Sequence, residues 1–500
     1  MRINRVLLLS TLFIAFSSVY RLASAQLPGN IHGNFEFTGQ YYRTDSAIGA
    51  PNVPEKFLNN GFANFIFEKD KFSAGVRYES YRNPLLGFDS RYAGSGFPYK
   101  YLTYKNADLE VTVGNFYDQF GSGIIFRAYE ERGLGLDNAM EGIRVKYTLI
   151  KGLSLKGMVG KQRDFFSLGD GIVRAADAEL NFNETFSGWA TKKTVVIIGS
   201  SFVSKYQKDD DNVYNLPVNV GSGGGRIHVI RGPWDLSGEY VYKANDPSYT
   251  NGFNYKNGSA TLLNASYSVK GFGFTLGAKR IDNMSFRSDR NAVLNSLLIN
   301  YLPAMTTQHA YLLPAIFPYA TQPNGEYGFQ ADFFFHIKEG SFMGGVKGAT
   351  LTVNYSRAQD IDRDTLNVKQ DYGYNSKFLK LGKSIYYEDF NVEYNVKMTK
   401  KLRMILTYLY INYNRDVIEG RTGSGHIYSH SGVVEINYKI SSKYNFRTEL
   451  QHLYTKQGEG SWALLLAEFS VSPSWFVGGF WQSNYGNEIK DKQFNYYNLS

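Results

Sequence analysis

Apolar and polar residues alternate along most of this chain. Leu109, Val111 and Val113 fall on one side of a two-residue repeat, with Glu110 and Thr112 on the other. Ile143, Val145 and Tyr147 likewise oppose Arg144 and Lys146. A period of two sends successive side chains to opposite faces, which predicts extended strands. The same pattern recurs over residues 31–41, 57–68, 72–81, 99–105, 234–242, 327–336, 390–396, 444–451 and 475–481. One face is apolar and almost free of charge. The other carries Glu36, Arg77, Glu79, Glu110, Arg144, Lys146, Asp235, Glu239, Asp332, Glu393, Arg403, Glu435, Arg447 and Glu449. Unpaired charge is prohibitive in a dry core, so this second face predicts a lumen in which charges meet water or each other. The uncharged face suits lipid.

The connections alternate in length. Short ones fall at 149–152, 231–233, 270–271, 398–401, 440–443 and 472–474, and two looser ones at 183–192 and 338–347. Longer ones fall at 163–171, 205–216, 244–257, 281–325, 358–383, 414–425 and 456–460. Short turns at one rim and long loops at the other are the mark of an outer-membrane barrel. The expected fold is all-β, a transmembrane up-and-down antiparallel β-barrel of roughly 22–24 strands. The first strand starts near Ile31, so no plug domain is expected ahead of it, unlike the TonB-dependent transporters, and energised uptake is disfavoured. Tyr41, Tyr78, Tyr147, Tyr242, Tyr438 and Trp481 are expected in interfacial girdles.

Composition fits this picture. The chain has 500 residues, with 39 Tyr, 36 Phe, 50 Gly and no Cys. Past residue 25, no run approaches the ~20 apolar residues of a membrane helix, which says nothing about strands. Residues 1–25 read as a signal peptide: Arg2 and Arg5, an apolar stretch over 6–16, and Ala23-Ser-Ala25 before Gln26. The barrel is assigned to 26–500. Arg2, Arg5 and Arg21 supply three of the formal +9 charges, which leaves +6 on 26–500. The basic residues are dispersed, which argues against nucleic acid as a partner. Outer-membrane lipid and lipopolysaccharide are the expected surroundings. Residues 494–500 read as a strand just begun, so the expectation is a chain that continues beyond Ser500.

Little catalytic chemistry stands out. His426 and His430 share a strand face, while Ser429 and Ser431 lie on the other, and His336 and His452 have no evident partner. No enzyme activity and no cofactor are expected. Asp360, Asp362 and Asp364, with Asp371 at the twelfth position, have the spacing of a calcium loop but lack its glycine, and are weak metal candidates. Lys208 to Asn212 reads as a solvated surface run. In the long connection 281–325, Val293, Leu294, Leu297, Leu298, Tyr301 and Leu302 have helical spacing. A helix over 291–302 is therefore expected, with Asp289 near its start and Pro303 at its end. A loop this apolar is not expected to sit in water. The readings open for it are that it packs on its own barrel, folds into the lumen, docks a partner or lines an entry for an apolar ligand.

The segment GNFYDQFGSGIIFRAYEERGLGLDNAMEG, residues 114–142, resembles an uncharacterised family of outer-membrane barrels from Bacteroidota, held as a domain of unknown function. The resemblance extends loosely over residues 26–500 and implies fold and location, with no activity to carry over. By analogy with general porins, whose third loop sets the constriction, residues 116–141 are the candidate gate, the alternative being a self-contained surface loop. Gly121, Gly123, Gly133 and Gly135 permit bending. Asp118, Arg127, Glu130, Glu131, Arg132 and Asp137 would supply charge at the narrowing. Arg77, Glu79, Arg144, Lys146, Arg447 and Glu449 are the lumen charges, of mixed sign and without clear ion preference. The function expected is a porin-like channel for passive or facilitated passage of a small solute. The alternative is a non-conducting barrel, a subunit or docking platform of a surface or secretion complex, with a surface lipoprotein bound at the 281–325 loop.

Overall fold

The computed structural model describes residues 29–50, 52–366 and 372–500. The expected signal peptide and Asp371 lie outside them. The chain forms β1 (Asn30–Tyr41), β2 (Phe57–Lys69), β3 (Phe72–Asn83), β4 (Gly94–Lys105) and β5 (Leu109–Phe116). A long loop follows, holding the short strands β6 (Asp118–Phe120), β7 (Phe126–Ala128), β8 (Glu130–Glu131) and β9 (Leu136–Asp137). Then come β10 (Met140–Ile150), β11 (Leu153–Asp164), β12 (Ser167–Asn181), β13 (Thr194–Tyr206), β14 (Asn219–Arg231), β15 (Trp234–Lys243), β16 (Gly258–Val269) and β17 (Phe272–Asp282). After the longest loop follow β18 (Gly325–Ile337), β19 (Ala349–Leu366), β20 (Gly373–Lys397), β21 (Leu402–Asn414), β22 (His426–Lys439), β23 (Tyr444–Tyr454), β24 (Trp462–Val471), β25 (Trp475–Ser483) and β26 (Asn495–Leu499).

Apart from β6–β9, these strands make one 22-stranded sheet in which each is antiparallel to the next, β5 passing directly to β10. This is an up-and-down antiparallel β-barrel of the outer-membrane type. Along it, β1 pairs with β2 and β26 with β25. Asp45, just past β1, lies within electrostatic reach of Tyr496 on β26.

The two faces follow the alternation. Val113, Ile143, Tyr147, Leu263, Leu406 and Leu450 are exposed on the outside, while Thr112, Arg144, Glu239 and Glu449 are buried on the inside. At the short-turn rim the outward rings stack across strands. Trp234 lies 4.8 Å from Tyr267, Tyr267 5.7 Å from Phe274, and Phe272 5.2 Å from Phe335. Tyr41, Tyr78, Tyr147, Tyr242, Tyr438 and Trp481 are all exposed, as girdle residues must be.

Three expectations are corrected. The connection placed at 163–171 is a tight hairpin, because β11 continues to Asp164 and β12 begins at Ser167, with Phe165 at a positive φ of 57° making the turn. The connection placed at 358–383 is mostly strand, since β19 and β20 extend the sheet past their neighbours. Asp360, Asp362 and Asp364 therefore lie along a strand rather than around a cation. Asp362 pairs with Lys380 at 2.8 Å, and Asp360 accepts from the Tyr386 hydroxyl at 2.8 Å. Among the described residues, no cluster of His, Cys, Asp or Glu is placed to hold a metal. The third correction concerns 291–302, which is not helical. Leu294 and Leu297 both take φ of 54°, outside helical space, and the backbone doubles back to bridge Arg287 with Leu298. The Arg287 guanidinium donates to the carbonyls of Leu294 and Ser296, and so closes the turn that replaces the helix.

Leu263 lies mid-strand on the outer face, opposite Gly238 and Ala278. Leu263→Arg is expected to destabilise the barrel by about 2–4 kcal/mol in lipid vesicles, measured by denaturant unfolding. An unchanged midpoint would mean that this face does not meet hydrocarbon.

Candidate functional site

The site is the lumen, which is closed on one side by the chain's own loops. The loop between β5 and β10 turns inward at Gly121 and Gly123, both at positive φ. A Cβ on Gly121 would sit 2.7 Å from Glu239 Oε1 on the wall, so glycine is required for this approach. The Ser122 amide donates to Glu239 Oε2 at 2.9 Å. Phe120, Ile124, Ile125 and Phe126 then bury completely against apolar residues on the inner wall, among them Met158, Val203 and Val241. Inner positions of β11–β17 thus carry apolar side chains where the polar-face reading predicts none.

The loop between β17 and β18 packs onto the first. The Arg127 amide donates to the Ile299 carbonyl at 2.9 Å and the Tyr301 amide to the Gly123 carbonyl at 3.0 Å. Asn138 Nδ2 and Gln162 Nε2 both donate to the Leu298 carbonyl, and Ile299 and Met305 join the apolar cluster. The loop then crosses the lumen. His309 meets Asp389 on β20 at 2.5 Å, the Tyr311 hydroxyl donates to Glu435 on β22 at 3.2 Å, and the Leu313 amide donates to Gln451 on β23 at 3.0 Å. Leu313 is fully buried against Leu453 and Leu464.

Charge fastens the first loop to the wall. Arg77 reaches Glu79 at 2.6 Å, Glu130 at 3.0 Å and Asp137 at 2.6 Å. Arg163 grips Glu79 with two parallel hydrogen bonds of 2.9 and 2.6 Å and also reaches Asp137 at 2.6 Å. Burial, with Asp137 alongside, pushes the Tyr117 phenol far above its ordinary value, so it keeps its proton and donates it to Asp137 at 3.0 Å. Arg132 continues the network to Glu130 at 2.9 Å and to Glu36 on β1 at 2.7 Å. A second group forms below. Asp118 meets Lys156 at 3.0 Å, Lys146 at 3.2 Å and Arg144 at 3.3 Å, and Arg144 also holds Glu110 at 2.6 Å. Burial opposes the Asp118 charge, yet Lys156 and Lys146 hold its carboxyl below the ordinary value.

Arg77, Glu79, Asp118, Glu130, Arg132, Asp137, Arg144 and Lys146 therefore sit in two contiguous networks. Arg127 and Glu131 do not join them. The Arg127 guanidinium stacks 4.0 Å over Tyr129 and 4.3 Å over Tyr301, and Glu131 is exposed. Arg447 and Glu449 lie across the lumen, where Arg447 touches Glu449, Glu435 at 3.1 Å and Glu468 at 2.7 Å. The sequence pattern misses Arg163. The connection expected at 163–171 puts it in a loop, whereas β11 runs on to Asp164 and a bulge between Lys161 and Arg163 turns both Gln162 and Arg163 inward.

A family model described as "Family of unknown function (DUF6029)" matches residues 3–500. No curated protein matches the sequence. Among solved structures the chain is similar to the siderophore receptor PirA from Pseudomonas aeruginosa, at 11% identity and TM-score 0.41 over 95% of this chain and 80% of that one. It is also similar to a BenF-like porin from Pseudomonas fluorescens Pf-5, at 11% and 0.31 over 89% and 98%. A third is the outer membrane protein opdK from Pseudomonas aeruginosa, at 12% and 0.36 over 85% and 96%. Likenesses this loose carry nothing about activity.

Glu79→Gln leaves Arg77 and Arg163 short of one buried counter-charge. The expected cost is about 3 kcal/mol, local to the loop. It is read as faster tryptic cleavage at Arg127 and Arg132, while the barrel keeps its heat-modifiable gel mobility. Unchanged protease resistance would show that the network does not hold the loop.

Proposed function

We propose that this chain, which belongs to the DUF6029 family of unknown function, is a porin-like channel of the outer membrane that passes a small polar solute with a preference for cations. The proposal places its long loops outside the cell and has residues 1–25 removed on export. The observation that carries it is the division of the lumen. The wall from β11 to β17 is covered by the two inward loops and their apolar cluster. The opposite wall stays polar. Asp332, Glu393, Glu435, Glu449 and Glu468 meet Arg403 and Arg447 there, with Lys397 and Lys439 at the strand ends on the same face, and Arg447 is shared by three of these carboxylates. Every residue of β1 is exposed on both faces, so the space beside it is unfilled. A path bordered by excess carboxylate concentrates cations and repels anions.

A second reading, a non-conducting barrel that serves as a subunit or docking platform, draws on the reach of the 281–325 loop to the far wall through Leu313. Burial of Ile299, Met305 and Leu313 consumes much of the apolar surface that a docked lipoprotein would use. What is left for it is Leu294, Leu312 and Ile316, which are exposed.

Purified protein in planar bilayers is expected to give stable unitary currents with a reversal potential on the cation side. The combined variant Glu435→Gln, Glu449→Gln and Glu468→Gln should lower that preference, and deletion of 304–318 should raise conductance. Silence of both wild type and deletion variant, with a co-purifying partner, would favour the platform over the channel.

A further inference from the structure

We propose that the cavity at the long-loop rim, lined by residues 87–89, 92, 134–138, 163–165 and 294–297, binds a small organic cation with an apolar body. The proposal does not rest on the channel reading. The cavity holds about 290 Å³, the scale of a small-molecule site. Its walls are divided almost evenly between polar and apolar groups: Phe88, Tyr92, Leu136, Phe165 and Leu297 form the apolar part, with Tyr92 and Phe165 edge to face at 4.6 Å. At its mouth Leu134 and Leu294 are each 74% exposed, two apolar lips that no described residue covers. An apolar ligand body would cover them.

The charges are more selective. Most groups lining the cavity are already engaged. Asp137 is held by Arg77 and Arg163, and the Arg163 guanidinium is in turn taken up by Glu79 and Asp137. Asp89 binds Arg91 through both oxygens, at 3.0 and 2.6 Å. Asp164 is the exception. Among the described residues, its carboxylate accepts no hydrogen bond and enters no ion pair. Arg91, Asp289 and Asp89 lie within electrostatic reach of it. Among the described residues Asp289, just outside the cavity, accepts from Gln207 Nε2 at 3.0 Å and the Asn291 amide at 2.8 Å. Asp164 is thus the lining carboxylate without a cation at ion-pair distance among the described residues.

The cavity already shows how it holds a cation. The Arg91 guanidinium lies 4.5 Å over the Phe165 ring, the geometry by which an aromatic face attracts positive charge. A planar amidinium or guanidinium ligand would present two parallel N–H donors to the Asp164 carboxylate and its apolar part to Phe88, Tyr92 and the two leucines. Such a ligand touches 134–138 of the first inward loop and 294–297 of the second, and so bridges them.

The test uses the full chain folded in detergent micelles and isothermal titration with three probes of one shape: benzamidine (cationic), benzamide (neutral) and benzoate (anionic). Benzamidine is expected to bind saturably at one site, benzamide about tenfold more weakly, and benzoate not at all. Asp164→Asn should weaken benzamidine about tenfold and bring it level with benzamide, whereas Asp164→Glu should keep the preference. Heat-modifiable mobility checks that each variant is folded, and the wild-type series decides the matter if one is not. Equal binding of the three probes, stronger binding of benzoate, no saturable benzamidine binding, or a folded Asp164→Asn that binds as wild type would each overturn the proposal.

Discussion

A charge inside a protein wall must be paired or wetted, and the interior of this barrel is arranged around that constraint. On the filled side these charges are buried from bulk water, and Arg77 and Arg163 each find Glu79 and Asp137 at 2.6 Å. Such a network contributes little net stability, since desolvation offsets most of the Coulomb attraction. It does specify geometry. Apolar burial of Phe120, Ile124, Ile125 and Phe126 draws the loop into the lumen without fixing its position, and the ion pairs allow only one placement. The opposite wall meets the same constraint differently. Arg447 cannot neutralise Glu435, Glu449 and Glu468 together, so the remaining charge requires solvent or a mobile counter-ion.

Much of this was legible in the sequence, because a sheet with lipid on one side and polar groups on the other leaves period-two alternation wherever the ladder is regular. Strands such as Phe72–Asn83 and Met140–Ile150 were located this way, and the sign of each face followed. Legibility failed where the ladder is irregular or where distant segments decide the outcome. Arg163 was assigned to a connection because the alternation breaks at the bulge before it, although the strand continues to Asp164. Residues 291–302 have helical spacing, yet their backbone donors and acceptors are taken by the neighbouring loop and by Arg287, so tertiary pairing overrides local propensity. The acid-rich stretch 360–364 looked like a loop because polar residues dominate it. Past the membrane a strand needs no apolar face, and so loses the alternation.

Of the candidate gate, the position of the loop and eight charges of its networks, Asp118, Glu130, Arg132 and Asp137 with Arg77, Glu79, Arg144 and Lys146, could be named from composition and spacing. The partners that hold it could not. Arg163, Glu239 and the carbonyl of Leu298 lie 26, 117 and 160 residues away from the groups they bind. No window of sequence spans them.

That last separation bears on how the molecule is made. The backbone groups of 123–127 are satisfied by 299–301, and Asn138 by Leu298. The first loop therefore cannot settle when its own hairpin forms. It waits until some 160 further residues, and eight strands of wall, are in place, and closing so long a loop is entropically slow. Until then its buried aromatics and arginines have no partners. The order of assembly follows: the wall is built first around a wet interior, and the lumen is filled last, from within.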